Sequence, residues 1–119
     1  RPCGSAIKPL SVYAPAIETG VITPASVIDD YPVDTVGDKV WPVNAYSGYK
    51  GIITLQDAVR FSANPTAVRV LQRLTPSESY AFMTEKLGFT TLTGDDITAA
   101  GALALGLTAV NFIRIRRAK

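Results

Sequence analysis

A serine and a lysine stand three positions apart near the start of the chain, as Ser5 and Lys8. In a helix these two positions share one face, one turn apart. A serine hydroxyl becomes a nucleophile when a base takes its proton, and a lysine is such a base when its pKa is lowered. The spacing therefore predicts Ser–Lys nucleophilic chemistry. The competing interpretation is that Ser5 caps a helix and Lys8 is a solvated first-turn side chain.

A second pair of polar residues, Ser62 and Asn64, follows an apolar segment and stands just before Pro65. Ser-x-x-Lys followed by Ser-x-Asn is the motif order of β-lactamases and penicillin-binding proteins. The simpler interpretation is that Ser62-Ala63-Asn64 is a turn between two helices, in which Asn64 avoids helical angles because it precedes Pro65 and caps the helix that begins there. A catalytic role and a capping role of this motif are compatible with each other. Because the chain contains no histidine, a Ser-His-Asp mechanism would need that residue from a partner.

The sequence between the two motifs resembles the transpeptidase domain of class A penicillin-binding proteins. Trp41-Pro-Val-Asn44, Tyr49-Lys-Gly51 and the run from Ile53 to Val68 are similar to that family's pattern: W-x-P-x-N, a glycine, T-L-x-x-A-L, S-x-N and A-V. The resemblance covers residues 1 to about 106. A class A β-lactamase is a poorer match, because its hydrolysis needs a positioned glutamate. The W-P-x-N motif, in addition, belongs to the peptidoglycan synthases.

The resemblance implies a serine D,D-transpeptidase that uses no cofactor and no metal. Ser5 would attack the penultimate D-alanine carbonyl of a peptidoglycan stem peptide ending in D-Ala-D-Ala, with Lys8 as proton acceptor. An amine from a neighbouring strand would then resolve the acyl-enzyme into a cross-link, whereas a β-lactam antibiotic would leave a long-lived ester. Ser62 would relay protons to the leaving amine, and Asn64 would hold the substrate amide.

Three aromatic residues between the motifs are candidates for substrate contact. For Trp41 core packing is the preferred interpretation, and a substrate contact is the alternative. For Tyr46 and Tyr49 a position in the cleft wall and a purely structural role are equally open. Cys3, the only cysteine, excludes an internal disulfide and is interpreted as a small apolar filler beside the nucleophile.

The sequence departs from the family in two places. The third family motif, Lys-Thr/Ser-Gly, is absent from these 119 residues. Its strand helps to build the oxyanion hole, so we expect the isolated chain to be impaired or inactive. After Ala102-Leu-Ala-Leu-Gly-Leu-Thr108 the family pattern stops. We therefore expect a partial transpeptidase domain at 1–108 and an aberrant basic tail at 109–119, with a non-catalytic helical fragment or interaction module as the alternative function.

Composition limits the possible partners. Four of the twelve basic residues lie in the last six positions, which leaves the body slightly acidic and argues against a nucleic-acid surface. No apolar run approaches the ~20 residues that span a bilayer. Family members are usually anchored at the extracytoplasmic face of the bacterial membrane. Removed from a central sheet, the Ser5 helix would expose apolar side chains, so self-association through that sheet-facing surface is expected.

The hydrophobic pattern predicts which elements hold these motifs. We expect a helix over Ser5 to Thr19 with Ile7, Leu10, Ala14 and Ile17 at helical spacing along one face, stopped by Gly20. Residues 21–51 are interpreted as loop, with a small hairpin around Gly37-Asp38.

Three further helices are predicted before the connector that begins at Phe89. The first is capped by Thr54, with Leu55, Ala58 and Val59 inward; the second runs from Pro65 to Leu74, and the third is capped by Thr75 and closed by Gly88. A last helix is expected from Asp95 or Asp96 toward Leu105. The predicted fold class is mainly α, the helical subdomain of a penicillin-recognising serine transpeptidase (β-lactamase-like) fold with its central sheet largely missing.

Overall fold

Residues 4–89 are described by a computed structural model of the chain. They form a helical segment, two small antiparallel sheets and three further helices. The expectation of a mainly α fold holds only loosely, since four short strands accompany the helices. The connector beyond Phe89, the last helix, the tail and the boundary at residue 108 lie outside the described residues and stay predictions.

The Ser5 segment (residues 4–18) is one continuous helical run of three kinds of turn. It consists of a 3-10 turn at Gly4–Ile7, a π-helical turn at Pro9–Tyr13 and the α-helix α1 at Ala14–Glu18. Gly20 follows with a φ of +79°, a conformation that glycine adopts without strain. The predicted helix and its stop are therefore confirmed.

The face that the Ser5 segment buries differs from the predicted one. Leu10 and Ile17 are about 40% exposed, whereas Val12 and Ala16 are fully buried, together with the polar Lys8 and Ser11. The polar side chains tolerate burial because each has partners; Ser11 Oγ, for example, donates to the Ile7 carbonyl at 3.1 Å. Of the predicted stripe Ile7 is buried, at 7% exposed, so apolar periodicity identified one buried position of this segment and missed the others.

Two hairpin-like sheets occupy the region that was interpreted as loop. The predicted hairpin is present as β2 (Asp34–Val36) paired with β3 (Lys39–Trp41). The other sheet was not predicted; in it β1 (Val27–Asp30) pairs antiparallel with β4 (Gly51–Thr54). In β1 the exposed and buried side chains alternate, so that Ile28 and Asp30 face inward.

The remaining helices begin and end close to the predicted residues. They are α2 (Leu55–Arg60), α3 (Asn64–Leu74) and α4 (Pro76–Ala81), and a π-helical turn at Phe82–Lys86 extends α4. Val59 was expected inward but is 41% exposed. The central helix is α3, which packs against β1, α1 and α4. The main core is built on it from apolar side chains of five elements: Val12, Tyr13, Ala16, Ile22, Ile28, Leu55, Ala58, Ala67, Val70, Leu71 and Leu74.

Thr54 caps α2, as the sequence predicted. Its hydroxyl accepts a hydrogen bond from the Asp57 backbone N–H at 3.1 Å. We expect Thr54→Ala to lower the free energy of unfolding by about 1 kcal/mol, since the N–H loses its acceptor. Urea unfolding measures the loss. Thr54→Ser keeps the hydroxyl and is the control; an equal loss in both variants would contradict the cap.

Candidate active site

Ser5 and Lys8 open onto one small cleft between the Ser5 segment and α2. The cleft has a volume of about 220 Å³, and Ser62 contributes to its wall. Its lining is Ser5, Ala6, Lys8, Pro9, Tyr13, Ala58, Val59 and Ser62. Ser5 is half-buried. The two predicted motifs therefore meet in space, although more than fifty residues separate them in the chain.

Lys8 is the residue through which the two motifs make contact. It is 2% exposed, and its Nζ donates to the Ser62 carbonyl at 2.9 Å, to Ser62 Oγ at 3.1 Å and to Asn64 Oδ1. These three acceptors match the three donors of an ammonium group. The alternative of a solvated first-turn lysine is wrong, because the side chain points inward rather than into water.

Burial lowers the pKa of Lys8 from its usual 10.5 to about 8. The physical cause is desolvation, which penalises the charged ammonium form. At pH 8 about half of the molecules would therefore carry a neutral amine with a free lone pair. A neutral amine in contact with the Ser62 hydroxyl and in the cleft of Ser5 is chemically able to accept a proton.

Ser62 is held in an unusual backbone conformation. Its φ is +53°, in the left-handed region, where a side chain with a Cβ is strained. The turn is closed by two backbone hydrogen bonds, from the Ser62 N–H to Val59 and from the Ala63 N–H to Ala58, at 3.1 and 3.0 Å. This geometry brings both the carbonyl and the hydroxyl of Ser62 onto Lys8. The predicted turn is present at Ser62 and Ala63, whereas its third residue, Asn64, belongs to α3 (Asn64–Leu74).

The strain at Ser62 leads to a stability prediction. Ser62→Gly and Ser62→Ala both remove the hydroxyl, but only alanine keeps a Cβ at positive φ. We expect the glycine variant to be more stable than the alanine variant by about 1 kcal/mol. Denaturant unfolding of both variants measures this difference. An alanine variant as stable as the glycine variant would show that the left-handed turn is not retained.

Asn64 connects the turn to the loop between β3 and β4. Its Oδ1 accepts from Lys8, its Nδ2 donates to the Val43 carbonyl at 2.7 Å, and its backbone N–H donates to Asn44 Oδ1 at 2.8 Å. Asn64 was expected to cap α3 and, because Pro65 follows, to avoid helical angles. Both expectations are wrong. Asn64 is the first residue of α3, and its side chain makes no cap hydrogen bond because it is turned toward Lys8 and Val43.

The three aromatic candidates lie in or beside that loop: Trp41 precedes it, and Tyr46 and Tyr49 belong to it. Trp41 ends β3 and is half-buried, and the Tyr49 hydroxyl donates to the Pro42 carbonyl at 2.9 Å. The Tyr46 hydroxyl donates to Asp30 at 2.6 Å. None of the three is among the residues that line the Ser5 cleft within residues 4–89. A contact between a substrate and Trp41 or Tyr49 stays a prediction.

Two polar residues with no predicted role are notable here, one in the cleft and one beneath the loop between β3 and β4. Tyr13 lines the cleft, and its hydroxyl lies 3.0 Å from Thr66 Oγ1; burial raises the pKa of Tyr13 to about 12. Tyr13 is therefore neutral at any ordinary pH. Asp30 is fully buried and hydrogen-bonded to the loop. The sequence held no alternating signal for it, because two apolar residues precede two carboxylates in Val27 to Asp30; the burial pattern of the strand places Asp30 on the inward face with Ile28.

No group of three or more metal-ligating side chains was found in the part of the chain that the structure describes. The same part holds no helix with the length and apolar character needed to cross a membrane. The cleft is lined by hydroxyl groups and the Lys8 amine, and the Asn64 amide contacts that amine. That set suits proton transfer and nucleophilic attack on a carbonyl.

Comparison with known proteins places the chain in a family. Residues 1–104 match the family model described as the penicillin-binding protein transpeptidase domain. The chain is 40% identical to penicillin-binding protein 1A of Clostridium perfringens (strain 13) over 90 residues, which cover 71% of the chain and 13% of that protein. It is 36% identical to penicillin-binding protein 1A of Clostridium acetobutylicum over 114 residues, or 89% of the chain and 14% of that protein.

Penicillin-binding protein 1A of Pseudomonas aeruginosa is a third relative. It is 36% identical over 119 aligned residues, which cover 97% of the chain and 14% of that protein. The chain belongs to the penicillin-binding protein transpeptidase family, with class A relatives. It spans about one seventh of the length of these three relatives.

Proposed function

We propose that this chain carries the nucleophile half of a serine D,D-transpeptidase site. In this proposal Ser5 is the nucleophile, Lys8 its base, Ser62 a proton relay and Asn64 a holder of the substrate amide. The observation that supports it most strongly is the contact between the two motifs: Lys8 of the first donates to both Ser62 and Asn64 of the second. A buried lysine with a lowered pKa beside a serine is a typical Ser–Lys arrangement.

The reaction that we propose is acyl transfer from a peptidoglycan stem peptide ending in D-Ala-D-Ala. Neutral Lys8 takes the proton of Ser5, and Ser5 Oγ bonds to the penultimate D-alanine carbonyl carbon. The bond to the terminal D-alanine breaks, and that residue leaves with a proton returned through Ser62. The amine of a second stem peptide then attacks the ester, forms the cross-linking amide and returns the proton to Ser5 Oγ.

A β-lactam follows the first half of the same sequence. Ser5 Oγ attacks the lactam carbonyl, the C–N bond of the ring opens, and the ring nitrogen takes the proton. The opened ring stays attached, so the ester is long-lived. Benzylpenicillin is therefore a probe of Ser5 and Lys8 that needs no second substrate.

The absence of the Lys-Thr-Gly motif from these 119 residues lowers the expected rate of acylation. In the family its strand supplies part of the oxyanion hole, and loss of one oxyanion donor costs about 10²–10³ in rate. We therefore propose that this chain alone acylates slowly. The absence also favours a second candidate function, a non-catalytic helical fragment that binds a partner without turnover.

Two further proposals concern the setting of the chain. Leu10 and Ile17 are about 40% exposed on the Ser5 segment, and we propose that this face packs against the remainder of the domain or, in its absence, against a second copy. We also propose that the parent protein acts at the extracytoplasmic face of a bacterial membrane, where its substrate is found.

Labelling with fluorescent benzylpenicillin tests the proposed function. The folded chain is incubated with the probe, with and without excess unlabelled benzylpenicillin, and covalent label is measured after denaturing electrophoresis. We expect slow labelling that the competitor prevents and that heat denaturation of the chain abolishes. A folded chain that takes up no label over many hours would instead support the non-catalytic alternative.

A further inference from the structure

Asp30 is a fully buried carboxylate at the end of β1. It accepts three hydrogen bonds, from Asn44 Nδ2 at 2.9 Å, from the Tyr46 hydroxyl at 2.6 Å and from the Lys50 backbone N–H at 2.8 Å. Within residues 4–89 it forms no ion pair. A buried carboxylate without a counter-charge is retained only where its hydrogen bonds are well made. All three donors come from the loop between β3 and β4.

The hydrogen bonds of Asp30 lead to Lys8 in three steps. Asn44 Nδ2 donates to Asp30 and to the Gly48 carbonyl, so the amide is oriented with Oδ1 toward the Asn64 N–H, 2.8 Å away. The Asn64 side chain in turn accepts from Lys8. Each amide in this path uses its donor on one side and its acceptor on the other, so neither can rotate by 180° without losing contacts.

The backbone around Asp30 is held from two sides. Asp30 pairs with Gly51 in the β1–β4 sheet. Arg69 of α3 donates to the carbonyls of Asp29, Tyr31 and Pro32 at 3.3, 2.6 and 3.1 Å. Gly51 has a φ of +79°, and a Cβ there would meet the Tyr31 hydroxyl at 3.2 Å. The carboxylate therefore has a fixed position relative to the central helix.

We infer that Asp30 is a positioning residue of the Ser5–Lys8 site, and that it acts through Asn44 and Asn64 on the Lys8 amine. It holds the loop so that Asn64 Oδ1 stays directed at Lys8. The inference rests on the proposed function for its chemical meaning, while the path of contacts is independent of any activity. Asp30 itself does not line the Ser5 cleft.

The variant that tests this role is Asp30→Asn, which keeps the size of the side chain. An asparagine has one acceptor oxygen where the carboxylate has two, so it cannot serve Asn44 on one side and Tyr46 and Lys50 on the other. Asp29→Asn is the matched control. It removes the same charge from the neighbouring residue, whose side chain is exposed. Asn44→Ala breaks the same path at its second step and replaces the first variant if that one does not fold.

The first readout is the acylation of Ser5 by benzylpenicillin over a range of concentrations. We expect the limiting acylation rate constant of Asp30→Asn and Asn44→Ala to fall by about tenfold to a hundredfold, as for a misplaced catalytic group. The concentration of half-maximal rate should change much less, because the cleft lining is intact. Asp29→Asn should acylate like the unmodified chain. If the unmodified chain acylates and Asp30→Asn and Asn44→Ala do so at the same rate, the inference is overturned.

The second readout needs no activity and separates failure of this inference from failure of the proposed function. In NMR spectra at one pH, the Lys8 Cε and Asn64 side-chain amide resonances report their shared hydrogen bond. Asp30→Asn and Asn44→Ala should shift both resonances, whereas Asp29→Asn should shift neither. If the chain never acylates, these shifts alone decide: unchanged Lys8 and Asn64 resonances in the two path variants overturn the positioning role.

Discussion

The Ser5→Ala variant is expected to form no penicilloyl adduct under conditions in which the unmodified chain becomes labelled. Alanine has no hydroxyl, so no acyl-enzyme ester can form at this position. Intact-mass spectrometry after incubation with benzylpenicillin measures the added mass, and peptide mapping places it. We expect an adduct on the peptide that contains Ser5 in the unmodified chain, and a loss of at least about 10³-fold in adduct formation in the variant.

Ser77→Ala is the matched control for this experiment. Ser77 is an exposed serine in α4, outside the cleft, and its loss should leave labelling unchanged. The fold should be the same in all three proteins, because the half-buried Ser5 side chain contributes little to the core. Equal adduct in Ser5→Ala and in the unmodified chain would contradict the assignment of the nucleophile and would point to non-specific acylation of lysines.

The Lys8→Arg variant is expected to acylate about 10²–10⁴ times more slowly than the unmodified chain. This is the usual range for loss of a general base. Arginine keeps the positive charge and can still donate to Ser62 and Asn64, but it cannot be deprotonated in a protein. Lys39→Arg, an exposed lysine in β3, is the control and should acylate normally. Stopped-flow or quenched labelling measures the rate constants.

The pH dependence of acylation gives a second test of Lys8. Its pKa is lowered to about 8 by burial, and the base is the neutral form. The rate should therefore rise with pH by about tenfold between pH 7 and pH 9, and should level off above that as the amine becomes fully deprotonated. In Lys8→Arg this rise should disappear. A rate in the unmodified chain that is independent of pH over this range would show that Lys8 is not the base.

Local sequence signals located most of the helices because these depend on neighbouring residues. The caps at Thr54 and Thr75 follow from a hydroxyl placed three residues before an N–H, and both are present. The stops at Gly20 and Gly88 follow from positive φ, which glycine adopts freely. The family was identifiable for a similar reason, since the motifs and their order are written directly in the chain.

The second sheet and the buried face of the Ser5 segment were missed because both depend on distant partners. β1 has only four residues, and its pairing partner β4 follows more than twenty positions later. Propensity and alternation over four residues carry little information, so pairing decided the strand. Likewise, Lys8 is buried because its hydrogen-bond acceptors lie on Ser62 and Asn64, more than fifty residues away, and apolar periodicity does not register such partners.

The sequence by itself determined the family, the helices that hold the motifs, and the choice of Ser5, Lys8, Ser62 and Asn64 as candidate site residues. Only the tertiary structure decided how the motifs act on one another. It turned Asn64 away from a capping role and toward Lys8, and it buried Lys8 deeply enough to lower its pKa. It also brought Asp30 beneath the loop that holds Asn64. The physical reason is that desolvation and long-range hydrogen bonds are properties of packed surroundings, which residue spacing does not encode.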